Sequence, residues 1–325
     1  MMKQKGFTLL ELLVVITLLA VLAVGALVAY DGIGENAEST ATAFNTASLD
    51  RAVRNYRAVE KAYPDQWDNL AHPTVANAPA GGVASSFIAD ETRDVFGAWN
   101  VNAATAPVKA AFSNVIKNVW GMEEIQHVLS VNPDVAPGKM HNEGSNVGDR
   151  TTTGALETEF VLDSTDNFDF DYLSIVPTVN GADPATGCTV GGQTVSQTFA
   201  LAAGTASATN GLPLAQRLNA MSDAMGIERC HLVVALGFGG DAASSTSRSS
   251  ASIVAAPTFG GGGVLNPAVN YTRYVGLFHV ARTTSKSTSQ TAITEAEFFS
   301  RPKLIGFVDT LGRPIDVNIA AATAN

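Results

Sequence analysis

A long apolar segment near the N-terminus constrains this chain more than any other feature. It runs from Phe7 to Tyr30, and Leu12 to Tyr30 carries no charge. As a helix it would extend about 36 Å at ~1.5 Å per residue, enough to cross a bilayer core of about 30 Å. We therefore predict a transmembrane helix segment over residues 7–30.

One carboxylate, Glu11, interrupts this segment near its start. A charged side chain at the centre of a membrane costs about 3 kcal/mol on insertion scales. An ordinary anchor would carry leucine at this position, so Glu11 needs a compensating partner. The residue therefore indicates a role beyond anchoring.

The residues around Glu11 resemble a known signal. The run Lys5 to Leu13 reads Lys-Gly-Phe-Thr-Leu-Leu-Glu-Leu-Leu, and it resembles the class III signal of type IV prepilins and of the pseudopilins of type II secretion systems. The resemblance implies that residues 1–6 are a leader peptide and that a membrane peptidase cuts after Gly6 and methylates Phe7. It further implies that Glu11 pairs with the terminal amine of a neighbouring subunit. The resemblance covers roughly residues 3–63, and only the first dozen are diagnostic.

Two other interpretations of the apolar segment remain open at this point. A conventional secretory signal would have a shorter apolar core followed by a cleavage site of small residues, for which Ala23 to Ala26 could serve. A plain single-pass anchor is supported by apolar length alone. Neither explains why Glu11 stands beside a Gly-Phe-Thr sequence.

The distribution of charge predicts the orientation and excludes one class of partner. The basic residues Lys3 and Lys5 precede the apolar segment, so the positive-inside rule places residues 1–6 in the cytoplasm and the rest outside. The formal charge of the chain is −10, and no extended basic run is present to neutralise phosphates. We therefore predict a single-pass protein of the inner (cytoplasmic) membrane, with a periplasmic or extracellular domain, that does not bind nucleic acid.

An amphipathic pattern continues the helix over residues 31–63, although Gly32 and Gly34 weaken it at the membrane boundary. Pro64 ends the helix, because proline lacks an N–H donor and disfavours helix at the preceding residue. Apolar residues fall on one side of a helical wheel: Ala41, Leu49, Ala52, Val53, Tyr56, Val59 and Tyr63. Basic residues gather on the opposite side: Arg51, Arg54, Arg57 and Lys61. This basic stripe is either a contact with another subunit or a solvated helix face.

Residues 64–325 are predicted to form an extracytoplasmic α+β domain. A second helix is expected within residues 108–131, and residues 181–211 have the composition of a surface loop. The predicted strands are Phe160–Leu162, Tyr172–Pro177, Arg229–Phe238, Tyr271–Val280 and Leu304–Asp309. Helix first and strands later indicates a long helix packed on a mainly antiparallel sheet.

The two cysteines, Cys188 and Cys230, are candidates for a disulfide because the domain is expected in an oxidising compartment. Two unpaired cysteines, with Cys230 buried in the apolar stretch from Arg229 to Phe238, are the alternative.

Motifs for catalysis are weak throughout. The five histidines show no metal-ligand spacing, and no serine stands in a Gly-x-Ser-x-Gly elbow. The glycine-rich stretches at residues 237–241 and 260–263 lack the lysine and serine or threonine of a phosphate loop and fit tight turns. An acidic cluster is the best candidate for an ion site, and calcium is the ion that it would bind: Asp163, Asp166, Asp169 and Asp171. Alternation through Phe168 and Phe170 fits a half-exposed strand equally well.

These observations predict a non-catalytic structural subunit of a type IV pilus or type II secretion pseudopilus. Its expected partners are further pilin-like subunits, prepilin peptidase, an inner-membrane assembly platform and membrane lipid. Calcium is the only cofactor candidate. The alternative is a membrane-anchored binding or enzymatic domain that uses the same signal without polymerising.

Overall fold

The computed structural model describes residues 8–72, 88–128, 155–178, 187–199, 225–226, 228–260, 264–266, 270–286 and 290–323. Gly6 and Phe7 lie outside these ranges, so the predictions for the leader and the cleavage site concern residues that the structure does not describe.

Helix α1 spans Leu9–Glu60, 52 residues, which corresponds to about 78 Å. It passes through Gly32 and Gly34 without a break, although glycines at the membrane boundary were expected to weaken it there. The helix ends three residues before Tyr63, where Lys61 adopts a left-handed conformation with φ 63° and donates its N–H to the Arg57 carbonyl. This geometry releases the chain toward Pro64.

The remaining elements form a mixed α+β domain. Its helices are α2 (Asp90–Arg93), α3 (Ala106–Asn114), α4 (Gly240–Ser245) and α5 (Ile315–Thr323), and α3 continues as a π-helical turn over Val115–Trp120. Its strands are β1 (Trp67–Asn69), β2 (Gly97–Asn100), β3 (Glu124–Val128), β4 (Ala155–Glu159), β5 (Tyr172–Val176), β6 (Thr189–Val190), β7 (Gln193–Thr194), β8 (His231–Gly237), β9 (Val275–Arg282), β10 (Ala292–Ile293) and β11 (Phe298–Val308).

Most strands join one curled sheet in the order β11-β9-β8-β1-β3-β4, with β5 pairing β8 beside β1, and β2 pairing β5. Only the β1–β3 pair is parallel in this sheet, and the other described pairs are antiparallel. A small sheet in the order β10-β6-β7 lies apart. The α+β prediction is confirmed: an N-terminal apolar helix precedes a domain with a mostly antiparallel sheet.

Apolar side chains cover the central strands on both faces. Phe278 of β9 belongs to the same buried cluster as Leu49 and Val53 of α1, whereas its neighbour Leu277 belongs to a second cluster with Tyr271. Successive residues of a strand point to opposite faces, so the two clusters lie on opposite sides of the sheet. Strand β8 is buried at every position, which explains its continuous apolar sequence.

Four of the five predicted strands are confirmed and one is wrong. Strands β5, β8, β9 and β11 overlap four predicted segments, but Phe160–Leu162 follows β4 instead of forming a strand. The helix predicted within residues 108–131 is present and ends at Trp120, because Gly121 has φ 70° and turns the chain into β3. Strands β1 and β2 were not predicted, and part of the predicted loop over residues 181–211 is the β6–β7 hairpin.

The buried row along the outer half of α1 is narrower than predicted. Leu49, Val53 and Tyr63 are buried as expected, but Ala41 is exposed and Val59 is 47% exposed. Both exposed residues lie about 110° from the centre of the buried row on a 100°-per-residue wheel. Thr42 and Thr46 are buried in their place, because the domain contacts only one side of α1.

A disulfide joins Cys188 to Cys230, with the two Cα atoms 5.5 Å apart. It links the residue before β6 to the residue before β8, and both cysteines are fully buried. The pair thereby attaches the small sheet to the main sheet.

Replacing Cys230 with serine should lower the free energy of unfolding of the detergent-solubilised chain by about 4 kcal/mol, the chain-entropy value for a closed loop of about 43 residues. The measurement is denaturant unfolding followed by tryptophan fluorescence. Cys188→Ser should cause the same loss, and the double variant should lose no more than either one. A double variant as stable as the unreduced wild type would contradict this prediction.

Candidate assembly segment

The first turn of α1 holds Glu11 in a capping box with Thr8. The Thr8 backbone N–H and hydroxyl donate to Glu11 Oε2 at 2.8 and 2.9 Å, and the Glu11 backbone N–H donates to Thr8 Oγ1 at 3.3 Å. These contacts satisfy N–H groups that have no partner within the helix. The sequence Thr-x-x-Glu thus starts the helix at Leu9.

This capping box changes the expected energetics of Glu11. The carboxylate is not without a partner in the single subunit, because Oε2 accepts two hydrogen bonds from Thr8. Such a cap stabilises a helix by about 1 kcal/mol, but it adds no opposite charge. A cationic partner would therefore still stabilise the carboxylate in an apolar environment.

The apolar half of α1 has no covering within the subunit. Leu9–Leu27 is long and apolar enough to cross a membrane, and it is the one such segment among the described residues. None of it is buried. This surface requires lipid or another protein, since an exposed apolar area of this size is unfavourable in water.

The match to a protein family falls on the same segment. Residues 1–27 match the family model described as the prokaryotic N-terminal methylation motif. This is the prepilin-type signal of type IV pilins and pseudopilins. No curated protein and no solved structure matches the chain.

The prepilin-type signal has consequences for processing and partners. It indicates that the chain is a substrate of prepilin peptidase, and it implies assembly with other pilin subunits. An apolar helix directly after the signal is consistent with membrane anchoring. The individual roles of Gly6, Phe7 and Glu11 remain predictions.

The basic stripe of α1 does not behave as one surface. Arg54 donates through Nε to Asp50 at 2.7 Å and through Nη2 to the carbonyl groups of Leu304 and Ile305 at 3.4 and 3.0 Å. The hydrogen bond to Asp50 is the main reason why the pKa of Arg54 is raised. Arg54 therefore caps the outer edge of β11, which would otherwise present unpaired carbonyl groups.

The end of the stripe also contacts its own subunit. Arg57 donates to the Lys61 carbonyl at 2.6 Å and lies 4.7 Å from the Tyr63 ring centroid. Lys61 donates to the Ala58 carbonyl at 2.7 Å. Arg51 is exposed and lies beside a groove that residues 305–307 and 314–316 line on the domain side. Of the four residues proposed for a subunit contact, Arg51 is the one best placed for it.

Charge reversal should separate these roles. Arg54→Glu should destabilise the subunit by about 1–3 kcal/mol, because it removes charged hydrogen bonds to β11 and places a second carboxylate beside Asp50. Arg51→Glu should leave stability within about 0.5 kcal/mol of wild type, as an exposed substitution does. Thermal unfolding in detergent measures both. Equal stability of the two variants would show that the Arg54 contacts contribute nothing.

The acidic cluster forms a tight loop after β4. Asp163 Oδ1 accepts the backbone N–H groups of Thr165 and Asn167 at 2.7 and 2.9 Å, and the Thr165 hydroxyl at 2.7 Å. Hydrogen bonds from Asn167 and then Thr165 lower the pKa of the exposed Asp163 carboxyl. Asp166 has φ 59°, and Asp171 accepts from Asn102 at 3.1 Å.

Calcium binding at the acidic cluster remains a prediction. Over the ranges that the structure describes, no three histidine, cysteine, aspartate or glutamate side chains gather as a metal site, and Asp169 is exposed between the buried Phe168 and Phe170. Buried and exposed side chains alternate through Phe168, Asp169 and Phe170 as expected, but these residues lie in a loop instead of a strand. The turn hydrogen bonds account for Asp163 without an ion.

One pair of buried histidines was not predicted from the sequence. His231 Nδ1 and His279 Nε2 are 3.1 Å apart, and His231 Nε2 lies 3.0 Å from the Gly226 carbonyl oxygen. The residues are 48 positions apart but lie on adjacent strands β8 and β9. Their position in two predicted apolar strands was the available signal, since a histidine there requires a buried partner.

Proposed function

We propose that this chain is a structural subunit of a filament of the type IV pilus or type II secretion pseudopilus class. The observation that carries the proposal is the prepilin-type signal at residues 1–27 leading into a 52-residue helix with a wholly exposed apolar half. Lipid covers this half in the membrane, and neighbouring helices cover it in the filament. The domain then lies outside the membrane, and its role is non-catalytic.

The same proposal assigns the partners. Prepilin peptidase removes residues 1–6 and methylates Phe7, and an inner-membrane assembly platform moves the processed subunit from lipid into the filament. Glu11 pairs with the Phe7 amine of a neighbour. Further copies of this chain, or other pilin-like subunits, supply that neighbour.

Processing is tested by mass spectrometry of the N-terminal peptide from membranes of cells that contain the peptidase. We expect a mature chain that begins with a methylated Phe7 and keeps the whole apolar segment. Gly6→Val should retain the leader, because the resembling signal places cleavage after glycine. A mature start near Ala26 would instead show ordinary secretion and remove the basis for the proposal.

Assembly is tested by electron microscopy and sedimentation of the processed protein. We expect filaments when wild-type chain is produced with its peptidase and platform, and none from Gly6→Val. A processed chain that stays in the membrane as monomers would favour the alternative of an anchored domain that does not polymerise.

A further inference from the structure

Phe44 is an aromatic side chain on α1 that the subunit does not cover. It is 71% exposed, whereas Leu49 and Val53 on the same helix are 3% and 0% exposed. On a 100°-per-residue wheel it lies about 140–180° from these two residues. Phe44 therefore points away from its own domain.

Lipid does not reach Phe44. It follows Tyr30, the last residue of the predicted transmembrane segment, by 14 positions on one unbroken helix, or about 21 Å. A helix that crosses the bilayer therefore holds Phe44 well outside the hydrocarbon. Its ring is either in water or against protein.

A groove that could receive this ring lies on another side of the same helix. It has a volume of about 390 Å³ and lies between α1, β11 and α5. Its apolar lining includes Ala47, Ile305, Phe307 and Ile315, and its polar lining includes Asp50 and Arg51. Phe307 is buried and both isoleucines are half-buried, so the groove offers apolar surface that a second side chain would complete.

We propose that Phe44 of one copy of this chain inserts into the α1–β11–α5 groove of an adjacent copy. The inference rests on the proposed function and names the contact between outer domains. Because the ring and the groove are different surfaces, each contact leaves one free ring and one free groove at the ends. Such head-to-tail contacts extend into filaments when they do not close into rings.

The axial positions of the two surfaces support a second copy as the occupant. Copies anchored in one membrane hold Phe44 and the groove at similar heights. The groove residues of α1 centre on Asp50, six residues beyond Phe44. Insertion therefore requires that the copy that carries the ring be displaced outward by about 9 Å relative to the copy that carries the groove. Pairing of Glu11 in one copy with Phe7 of another, four residues earlier in the chain, requires that the copy that supplies Phe7 be displaced outward by about 6 Å. The two contacts thus require similar displacements.

Photo-crosslinking tests the contact directly. A benzophenone amino acid at position 44 keeps an aromatic side chain, and irradiation of membranes and filaments should give a covalent dimer of the full chain. Mass spectrometry should place the crosslink in the peptides that contain Ile305–Phe307 or Pro314–Asp316 of the second copy. The matched control is the same amino acid at Val254, which is 96% exposed and should give no such dimer.

Substitution tests the contribution of the ring. Phe44→Ala should lower filament recovery about tenfold, as loss of a central aromatic contact does, while the unfolding midpoint of the subunit stays unchanged. Phe44→Leu should restore part of the recovery, and Val254→Ala should have no effect.

The outcomes separate this inference from the proposed function. Filaments at wild-type yield from Phe44→Ala, or filaments with no crosslink to the groove, overturn the inference and leave the proposed function intact. A crosslink to the groove without filaments supports the inference and contradicts the proposed function. Absence of both contradicts both.

Discussion

Replacing Glu11 with leucine should reduce filament recovery at least tenfold (~1.4 kcal/mol or more), while cleavage after Gly6 and membrane insertion continue. The variant removes a charge whose pairing with a neighbour's terminal amine is strong in an apolar environment. It also improves the apolar segment, so the membrane-retained fraction should rise. Filament and membrane fractions are quantified together after processing is confirmed.

The capping box supplies the controls for this prediction. Glu11→Gln keeps an oxygen that can accept from Thr8 but removes the charge, so it should assemble as poorly as Glu11→Leu if charge pairing matters. Thr8→Val removes the hydroxyl that donates to Glu11 Oε2 and keeps the charge, so it should assemble well. Good assembly of Glu11→Gln together with poor assembly of Thr8→Val would show that the residue acts as a helix cap.

The second large effect should be loss of stability in acid. Burial lowers the pKa of His127 to about 3, that of His231 to about 4 and that of His279 to about 3. The unfolded chain titrates its histidines near pH 6.5. Between pH 6.5 and about 4 the unfolded state therefore binds protons that the folded state does not.

The direction in which stability changes with pH follows from proton linkage. The neutral histidines make their full contribution to the free energy of unfolding above pH 6.5. This contribution is lost as the pH falls, by up to about 1.4 kcal/mol per pH unit for each histidine. Burial acts in the opposite direction on Asp65 and Asp309, whose pKa values it raises. These two carboxyls bind protons more readily in the folded state and offset part of the loss at the acid end.

The His231–His279 pair has little capacity for an additional proton. The Gly226 carbonyl accepts from His231 Nε2, so His231 Nδ1 accepts from His279 Nε2. A proton added at His231 Nδ1 would leave two N–H groups facing each other. Arg282 adds repulsion at both histidines, Arg229 adds it at His231, and Lys303 adds it at His279.

Unfolding free energies at pH 7.5, 6.5, 5.5 and 4.5 measure this dependence. His279→Gln, whose amide does not titrate, should be less stable at pH 7.5 and should show a slope about one third smaller below pH 6.5. His127 has separate partners, Asn69 at 3.0 Å and Thr158 at 2.7 Å, so His127→Gln should lower the slope independently. A stability curve that is flat across this range would refute the prediction.

Patterns local in the chain were enough to predict several parts of this protein. Burial imposes a period on neighbouring residues, so a local pattern predicts its own secondary structure. This holds for the apolar run from Phe7 to Tyr30, its amphipathic continuation and the apolar stretches of β8 and β9. The signal around Glu11 was recognised for the same reason, since it is contiguous. Short strands such as β1, with three residues, give too little periodicity to predict.

Contacts between distant residues could not be predicted in this way. Arg54 and Ile305 are 251 positions apart, and no local pattern indicates that this arginine caps the edge of β11. The basic stripe was therefore interpreted as either a contact with another subunit or a solvated face, although Arg54, Arg57 and Lys61 contact their own subunit. The pairing of His231 with His279 likewise depends on which strands are neighbours in the sheet.

By itself the sequence determined the apolar N-terminal helix, the prepilin-type signal and the α+β class, all of which follow from the order of apolar, charged and turn residues along the chain. Only the tertiary structure decided which helical residues are covered, that Glu11 is capped by Thr8, and that Phe44 and the α1–β11–α5 groove are separate surfaces of one subunit. The physical reason is that exposure is a property of packing. The same phenylalanine is a core residue or a contact residue according to what the fold places against it.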